Sequence, residues 1–431
     1  MSRSDWTTGR SRGRGAGLEW LLLAAGVLAA LSGCGGGSSS DTTAAVAAAP
    51  SNIATVAVNG GPSGNAQNVL YTTVTLCAPG STTECQTIDN IQIDTASSGF
   101  RVISSVLGQG LTIAELTQVN GTNGNALVEC TQFADGYSWG SVKLADVSIA
   151  GEAASSVPIQ VIGDPAYPAT LASMACTSNV DIEEDTVIQF GANGILGVQG
   201  FEQDCGADCP DDGSAYNDCT SNSCVPDSPA VNLQVTNPDF LFATDNNGVL
   251  IQVTAASSNT TSVTGTMVFG IGTQTNNALS SAVTIYTLDP NAGTFTTVFA
   301  GQTLPDSIVD TGSSAYYFPS GTDAPILPVC QDDTELYCPS TTQYPQGAPL
   351  QGTIQGGNGT LANVDFTVGN GDTLNRLIQA DGYTVVPTLG ATAGNLLTTF
   401  DWGLPFFYGR PVYVGNQGAT ISGQTGPLIA F

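Results

Sequence analysis

Two stretches of this chain echo one another across more than two hundred positions: "IQIDTASSGFRVIS" (91–104) and "DSIVDTGSSAYYFP" (306–319). Each is an apolar run that ends in Asp-Thr-small-Ser-Ser, so an acid stands twice where an extended segment gives way to a turn. Asp94 and Asp310 lie 216 positions apart. A solenoid repeat is far shorter, and the spacing predicts a duplicated lobe. Later signals keep the same order. "GANGILGVQGF" (191–201) comes after the first acid and "FDWGLPFFYG" (400–409) after the second, each an apolar strand ending on glycine.

The rest of the sequence suits such a body. Its 431 residues are enough for two lobes with cores of their own. Only 10% are charged, while Gly, Thr, Ser, Val and Asn abound, which predicts a β-rich chain with many turns. Short alternating runs such as "VLYTTVTL", "GTMVFGIG" and "NVDFTVG" carry the period of strands. "GLTIAELTQV" (110–119) is one short helix candidate, and "AASSNTTSVTG" (255–265) is the expected seam. The predicted organisation is a leader over 1–33, a tether over 34–52, an N-terminal β lobe over 53–263 and a C-terminal β lobe over 264–431.

Charge and missing residue types exclude several functions. The formal net charge is −28, and half of the eight basic residues (Arg3, Arg10, Arg12, Arg14) fall in the first fifteen positions. The chain beyond them is strongly acidic, a surface that repels nucleic acid and anionic lipid and favours a soluble monomer. The chain has no histidine. Ser-His-Asp and Cys-His catalysis and the usual His-bearing zinc sites are therefore excluded. No cofactor or metal is expected.

The N-terminus has a basic region, the apolar stretch "WLLLAAGVLAA", and then "LSGC" ahead of a Gly/Ser/Ala-rich run. That stretch is short for a membrane span. The pattern resembles a bacterial lipoprotein signal, with cleavage before Cys34, lipidation of its thiol and a flexible tether. Gly35 after the cysteine points, by that resemblance, to the outer membrane of the cell envelope. Eleven cysteines less Cys34 leave an even ten, which suits an oxidising compartment and as many as five disulfides. Several are close in sequence, and local pairing would leave Cys130 and Cys176 to meet at long range. Connectivity stays open at this point. The acids of the 205–224 region (Asp204, Asp208, Asp211, Asp212, Asp218) do not match the spacing of an EF-hand loop and read as a solvated disulfide loop.

The ordered set of motifs resembles the pepsin-like aspartic peptidases. "DTASSGFRVIS" and "DTGSSAYYFP" run in step with that superfamily's two active-site motifs, "NGILGV" with its glycine strand, and "FADGYSWGSVKLADVSIAG" (133–151) with its flap hairpin. "GTMVFGIGTQTNNALSSAVTIYTL" is similar to the opening of the second lobe and "WGLPFFYGRPVYVG" to its closing strand. The similarity spans most of residues 67–431. The whole chain is more similar still to an uncharacterised family of bacterial lipoproteins known only as a domain of unknown function.

The resemblance implies an all-β, bilobal fold with a cleft between the lobes, and Asp94 and Asp310 as the catalytic pair acting on a peptide substrate. It implies that Thr95 and Thr311 lock the two acid loops together and that Ser97 and Ser313 each bond the outer oxygen of their own acid. It also implies that Gly312 offers its N–H to the carboxylates, and that Phe133, Gly136 and Tyr137 belong to the flap. Four positions depart from the pattern. Ala96 replaces a glycine, Phe133 the flap tyrosine (leaving Tyr137 as the available phenol), Arg101 a tryptophan, and Asp401 an apolar residue. Intact acids, threonines and serines imply an endopeptidase using an activated water. Ala96 and Arg101 support a second reading, a catalytically silent lipoprotein of the same fold that binds protein or glycan.

Overall fold

The computed structural model describes residues 52–177, 182–320 and 326–431. The leader, Cys34 and most of the tether therefore lie outside the described residues. The tether's expected last residue does not belong to it: Asn52 is fully buried, and its side-chain amide donates to the Phe269 carbonyl at 2.8 Å.

Among the described residues the chain is nearly all β, in one sixteen-stranded sheet and one seven-stranded sheet, with one strand pair apart. Among the described residues the longest helix is Gly371–Asp381. It starts where the Asn370 side chain accepts the Thr373 N–H and stops at Gly382, whose φ of +66° suits a residue without Cβ. The candidate helix at 110–119 is instead a 3-10 turn, Ile113–Glu115, running into a short strand, Thr117–Gln118. Glu115 folds back to accept the Thr112 N–H, and Leu111 and Leu116 reach the core without a helical stripe.

The large sheet crosses the expected seam. Strand Val263–Phe269 pairs antiparallel with Ile53–Val58 on one side and Gly248–Val253 on the other. Gly248–Val253 in turn pairs with Pro411–Gly415. The boundary expected at 263/264 thus falls inside a continuous sheet, and the polar stretch before it is a loop joining neighbours. First and last thirds of the chain hold one another in register through these pairings, burying Val56, Val58, Ile251, Met267 and Val412 in one core.

Each acid is positioned by the same local device. Strand Cys85–Asp94 pairs parallel with Gly194–Val198, which pairs antiparallel with the strand after the acid, Ser98–Ile103. Likewise Gln302–Val309 pairs parallel with Asp401–Trp402, which pairs antiparallel with Tyr316–Phe318. A chain returning through the middle of a strand-turn-strand pair fixes the turn rigidly, because both flanks are committed to ladder hydrogen bonds. Behind the second turn Trp402 stacks on Phe400 at 4.1 Å and donates its indole N–H to Thr297 at 3.0 Å, so the strand is held by packing as well.

Five disulfides complete the body: Cys77–Cys85, Cys130–Cys176, Cys205–Cys209, Cys219–Cys224 and Cys330–Cys338. Four close short loops, and the 130–176 bridge ties strand Ala126–Gln132 to a distant turn. The acids near them are not simply solvated. Asp218 is buried and accepts from the Asn123 N–H and the Asn125 side chain, and Asp204 pairs with Arg101.

Candidate active site

Asp94 and Asp310 meet on the floor of a cavity of about 500 Å³. Both are largely buried, and their carboxyls lie side by side against the backbone of Gly312. The loops carrying them are cross-tied. Thr95 donates its hydroxyl to the Val309 carbonyl at 2.9 Å, and Thr311 donates its own to the Ile93 carbonyl at 2.8 Å. The Thr311 N–H donates to Thr95 Oγ1 at 3.0 Å. Each threonine therefore points away from the cavity into the opposite loop, and the spacing of the two acids is set by backbone they do not belong to.

Each acid also receives a donor from its own turn. The Ala96 N–H donates to Asp94 Oδ1 at 2.8 Å, and the Gly312 N–H to Asp310 Oδ1 at 2.6 Å. Glycine at 312 is a matter of space. A Cβ there would sit 2.8 Å from Asp310 Oδ1 and 2.9 Å from Asp94 Cγ, closer than side-chain carbons come. Ala96 at the matching place is half-exposed on the cavity wall, which accommodates its methyl group. Gly312→Ala should accordingly push the carboxyls apart and cost about 1–3 kcal/mol, the usual toll of overpacking. Thermal denaturation beside an activity assay checks this, and an unchanged melting temperature with unchanged activity would contradict it.

The serines differ. Ser97 donates to Asp94 Oδ2 at 2.6 Å. Ser313 was expected to do the same for Asp310, but it donates instead to Asp401 Oδ2 at 2.5 Å. Asp401 lies on the returning strand, paired with Ile308 and Tyr317, and it lines the cavity. The site therefore holds a third buried carboxyl. Burial, and then the negative charges of Asp94 and Asp401, push Asp310 well above the usual carboxyl range. Burial likewise raises Asp401 to about 7, against the Ser313 hydrogen bond.

Arg101 is turned away from the acids. Its guanidinium is buried against Glu129 at 2.5 Å and Asp204 at 3.2 Å, and it donates to the Ser98 carbonyl at 2.8 Å. Burial opposes its charge, but the two carboxylates outweigh that cost and keep it ionised. Sequence reasoning found Arg101 and missed both partners, which come from strand Ala126–Gln132 and the Cys205 loop. Only the sheet and the disulfide bring them within reach.

The hairpin made by Ala126–Gln132 and Tyr137–Ile149 carries the tip 133–136 to the cavity wall, where Phe133, Ala134 and Asp135 line it. Phe133 packs edge-on against Phe190 at 5.8 Å. Gly136 leaves room for the 182–184 segment, since a Cβ would lie 2.6 Å from Glu184 Cγ. Tyr137 does not supply a phenol above the acids. It is buried with Trp139, Val128 and the Cys130–Cys176 bridge, because its place in the strand directs it into that cluster.

A family model described as "Protein of unknown function (DUF3443)" matches residues 48–431. The chain belongs to this family. The comparison with curated proteins returns no match. Among solved structures, the crystal structure of an aspartic proteinase from Irpex lacteus is similar in fold, with a TM-score of 0.51 over 88% of this chain and 96% of that one. The two sequences are 16% identical, so the likeness speaks for the fold alone. This member of the family is thus a nearly all-β chain of pepsin-like fold, with two acids paired in its cavity.

Proposed function

We propose that this chain is an aspartic endopeptidase built from two duplicated β lobes, acting on an extended peptide in the cleft between them. The observation that carries the reading is the adjacent buried pair Asp94–Asp310, held from both sides by crossed threonine bonds. Two carboxyls in contact cannot both ionise, so they share one proton, the behaviour that aspartic-protease dyads illustrate in general.

The surroundings assign that proton. Asp94 accepts from the Ala96 N–H and the Ser97 hydroxyl. Asp310 is buried and faces the charges of Asp94 and Asp401, which together favour the acid form. Asp94 would then take a proton from a water lying between the acids as its oxygen bonds to the peptide carbonyl carbon. Asp310 would give its proton to the carbonyl oxygen, leaving a neutral gem-diol. Collapse breaks the C–N bond, the nitrogen taking the proton held by Asp94 and Asp310 recovering one from the diol. Arg101 does not interfere, since its charge is held by Glu129 and Asp204.

Incubating the purified protein with a mixed peptide library from acid to neutral pH, with mass spectrometry of the products, tests the reading. Discrete cleavage products are expected, and their absence across the range from correctly folded protein would overturn it.

The site is placed in the cell envelope by the proposed lipid on Cys34. Cys34→Ser should move the protein from the membrane fraction to the soluble one. Unchanged fractionation would refute the anchor and leave the site untouched.

A further inference from the structure

The cavity around the acid pair is itself acidic, and one of its carboxylates lacks a full set of partners. Asp135, Asp204 and Asp401 line it together with Asp94 and Asp310. The single basic residue on its wall, Arg101, is ion-paired to Glu129 and Asp204 and has no charge to spare for a ligand. The remaining cations among the described residues are engaged elsewhere. Lys143 faces Asp164 at 3.9 Å, Arg376 donates to Thr373, and the Arg410 guanidinium lies 4.0 Å from the Phe406 ring centroid.

Asp401 is 7% exposed, and its Oδ2 takes the Ser313 hydroxyl. Its Oδ1 is buried with no hydrogen-bond partner, on a residue that lines the cavity. A buried carboxylate oxygen without a donor costs free energy unless something supplies that donor. The three acids nearest the centre do not converge as metal ligands would. Among the described residues, the one close cluster of ligand atoms is Cys330, Cys338 and Asp372, away from this cavity, and its two sulfurs are spent in a disulfide. Two apolar side chains, Ile308 (the strand partner of Asp401) and Leu396, line the same cavity as Asp401. Apolar side chains beside a carboxyl with an unpaired oxygen fit an aliphatic stem that ends in a positive charge, and that charge would hold the carboxyl ionised.

We infer that the flank of the cavity around Asp401, Ile308 and Leu396 is a subsite for a lysine or arginine side chain of the bound peptide. The inference deepens the peptidase reading and rests on it for the substrate being a peptide. The methylene stem of the basic side chain lies along Ile308 and Leu396, and its N–H groups reach Asp401 Oδ1. Acidic side chains are disfavoured there by three neighbouring carboxyls.

The test separates recognition from chemistry. Fluorescence anisotropy would compare peptides differing at one scanned position (Lys, norleucine or Glu) on full-length Asp94→Asn protein, with and without Asp401→Asn or Asp401→Leu. At least a tenfold preference for Lys over norleucine is expected at one position, the scale of a hydrogen bond to a charged group. It should vanish in Asp401→Asn and reverse in Asp401→Leu, with melting temperatures confirming folding. Equal or weaker binding of the Lys peptide, no binding of any peptide, or a preference that survives both Asp401 variants would overturn the subsite. The cleavage map of the unmodified protein reports on the chemistry. Cuts with no Lys or Arg at any fixed position sink the subsite and leave the peptidase, whereas Lys-selective binding without cuts does the opposite.

Discussion

Asp94→Asn and Asp310→Asn should each lower the turnover of peptide hydrolysis by about 10²- to 10⁴-fold, the range that positioned proton transfer supplies. The double variant should be little worse than either single one, because the pair acts as a unit around one shared proton. Steady-state rates on any peptide found to be cut provide the measurement, and a single variant that keeps full turnover would remove that acid from the chemistry. The pH profile carries a second mark. Activity needs the proton on Asp310, which burial and the charges of Asp94 and Asp401 retain well above the usual carboxyl range. The alkaline limb should therefore lie higher than for an ordinary carboxyl. Asp401→Asn removes one of those charges, so it should move the limb to lower pH.

Folding stability should fall as pH rises from about 4 to about 8, with Asp239 contributing most plainly. This residue is 1% exposed, and burial raises its carboxyl from 3.8 to about 8 against the hydrogen bonds from Asn416 and Phe240. In the unfolded chain the same group releases its proton near 4. The folded state therefore binds more protons across that window, and unfolding is favoured progressively as pH climbs. The stabilisation is complete below the unfolded value and lost by the folded one. Asp401, raised to about 7, along with Asp310, adds in the same direction. At about 1.4 kcal/mol per pH unit per group, the fall should amount to several kcal/mol on the order of magnitude. Denaturant titration at about pH 5 and about pH 8 reads the difference. Asp239→Asn should flatten it, and a wild-type stability that rises over this range would contradict the account.

Local pattern carried a good deal of this molecule. The strand period of "IQID" and "DSIV" marked the two acids as strand-terminal, and both strands end there. Two equivalent turns, each with a serine after its acid, do not settle which oxygen that serine meets. Ser97 reaches its own acid, while Ser313 meets Asp401, 88 positions away on the strand that returns between them. Asp401 was visible as an odd residue in an apolar strand, but its partner depends on parallel pairing with Ile308. The same limit applies at Tyr137, assigned to the flap by resemblance and buried beside Trp139, and at 110–119. There the apolar spacing is compatible with a helix, yet Leu111 and Leu116 pack into the core from either side of a 3-10 turn, Leu116 just ahead of a short strand.

What the amino-acid sequence determined by itself was what depends on neighbouring residues: strand-rich character, the turns that carry Asp94 and Asp310, the absence of histidine chemistry and an even set of cysteines after Cys34. Local backbone preference and side-chain period are enough for these. Only the tertiary structure decided that the two acids touch, that Thr95 and Thr311 cross to hold them, and that Arg101 spends its charge on Glu129 and Asp204. It alone placed a third carboxyl beside the pair. Those outcomes depend on hydrogen bonds and charges that act over a few ångströms between residues tens to hundreds of positions apart, and no local period encodes such a distance.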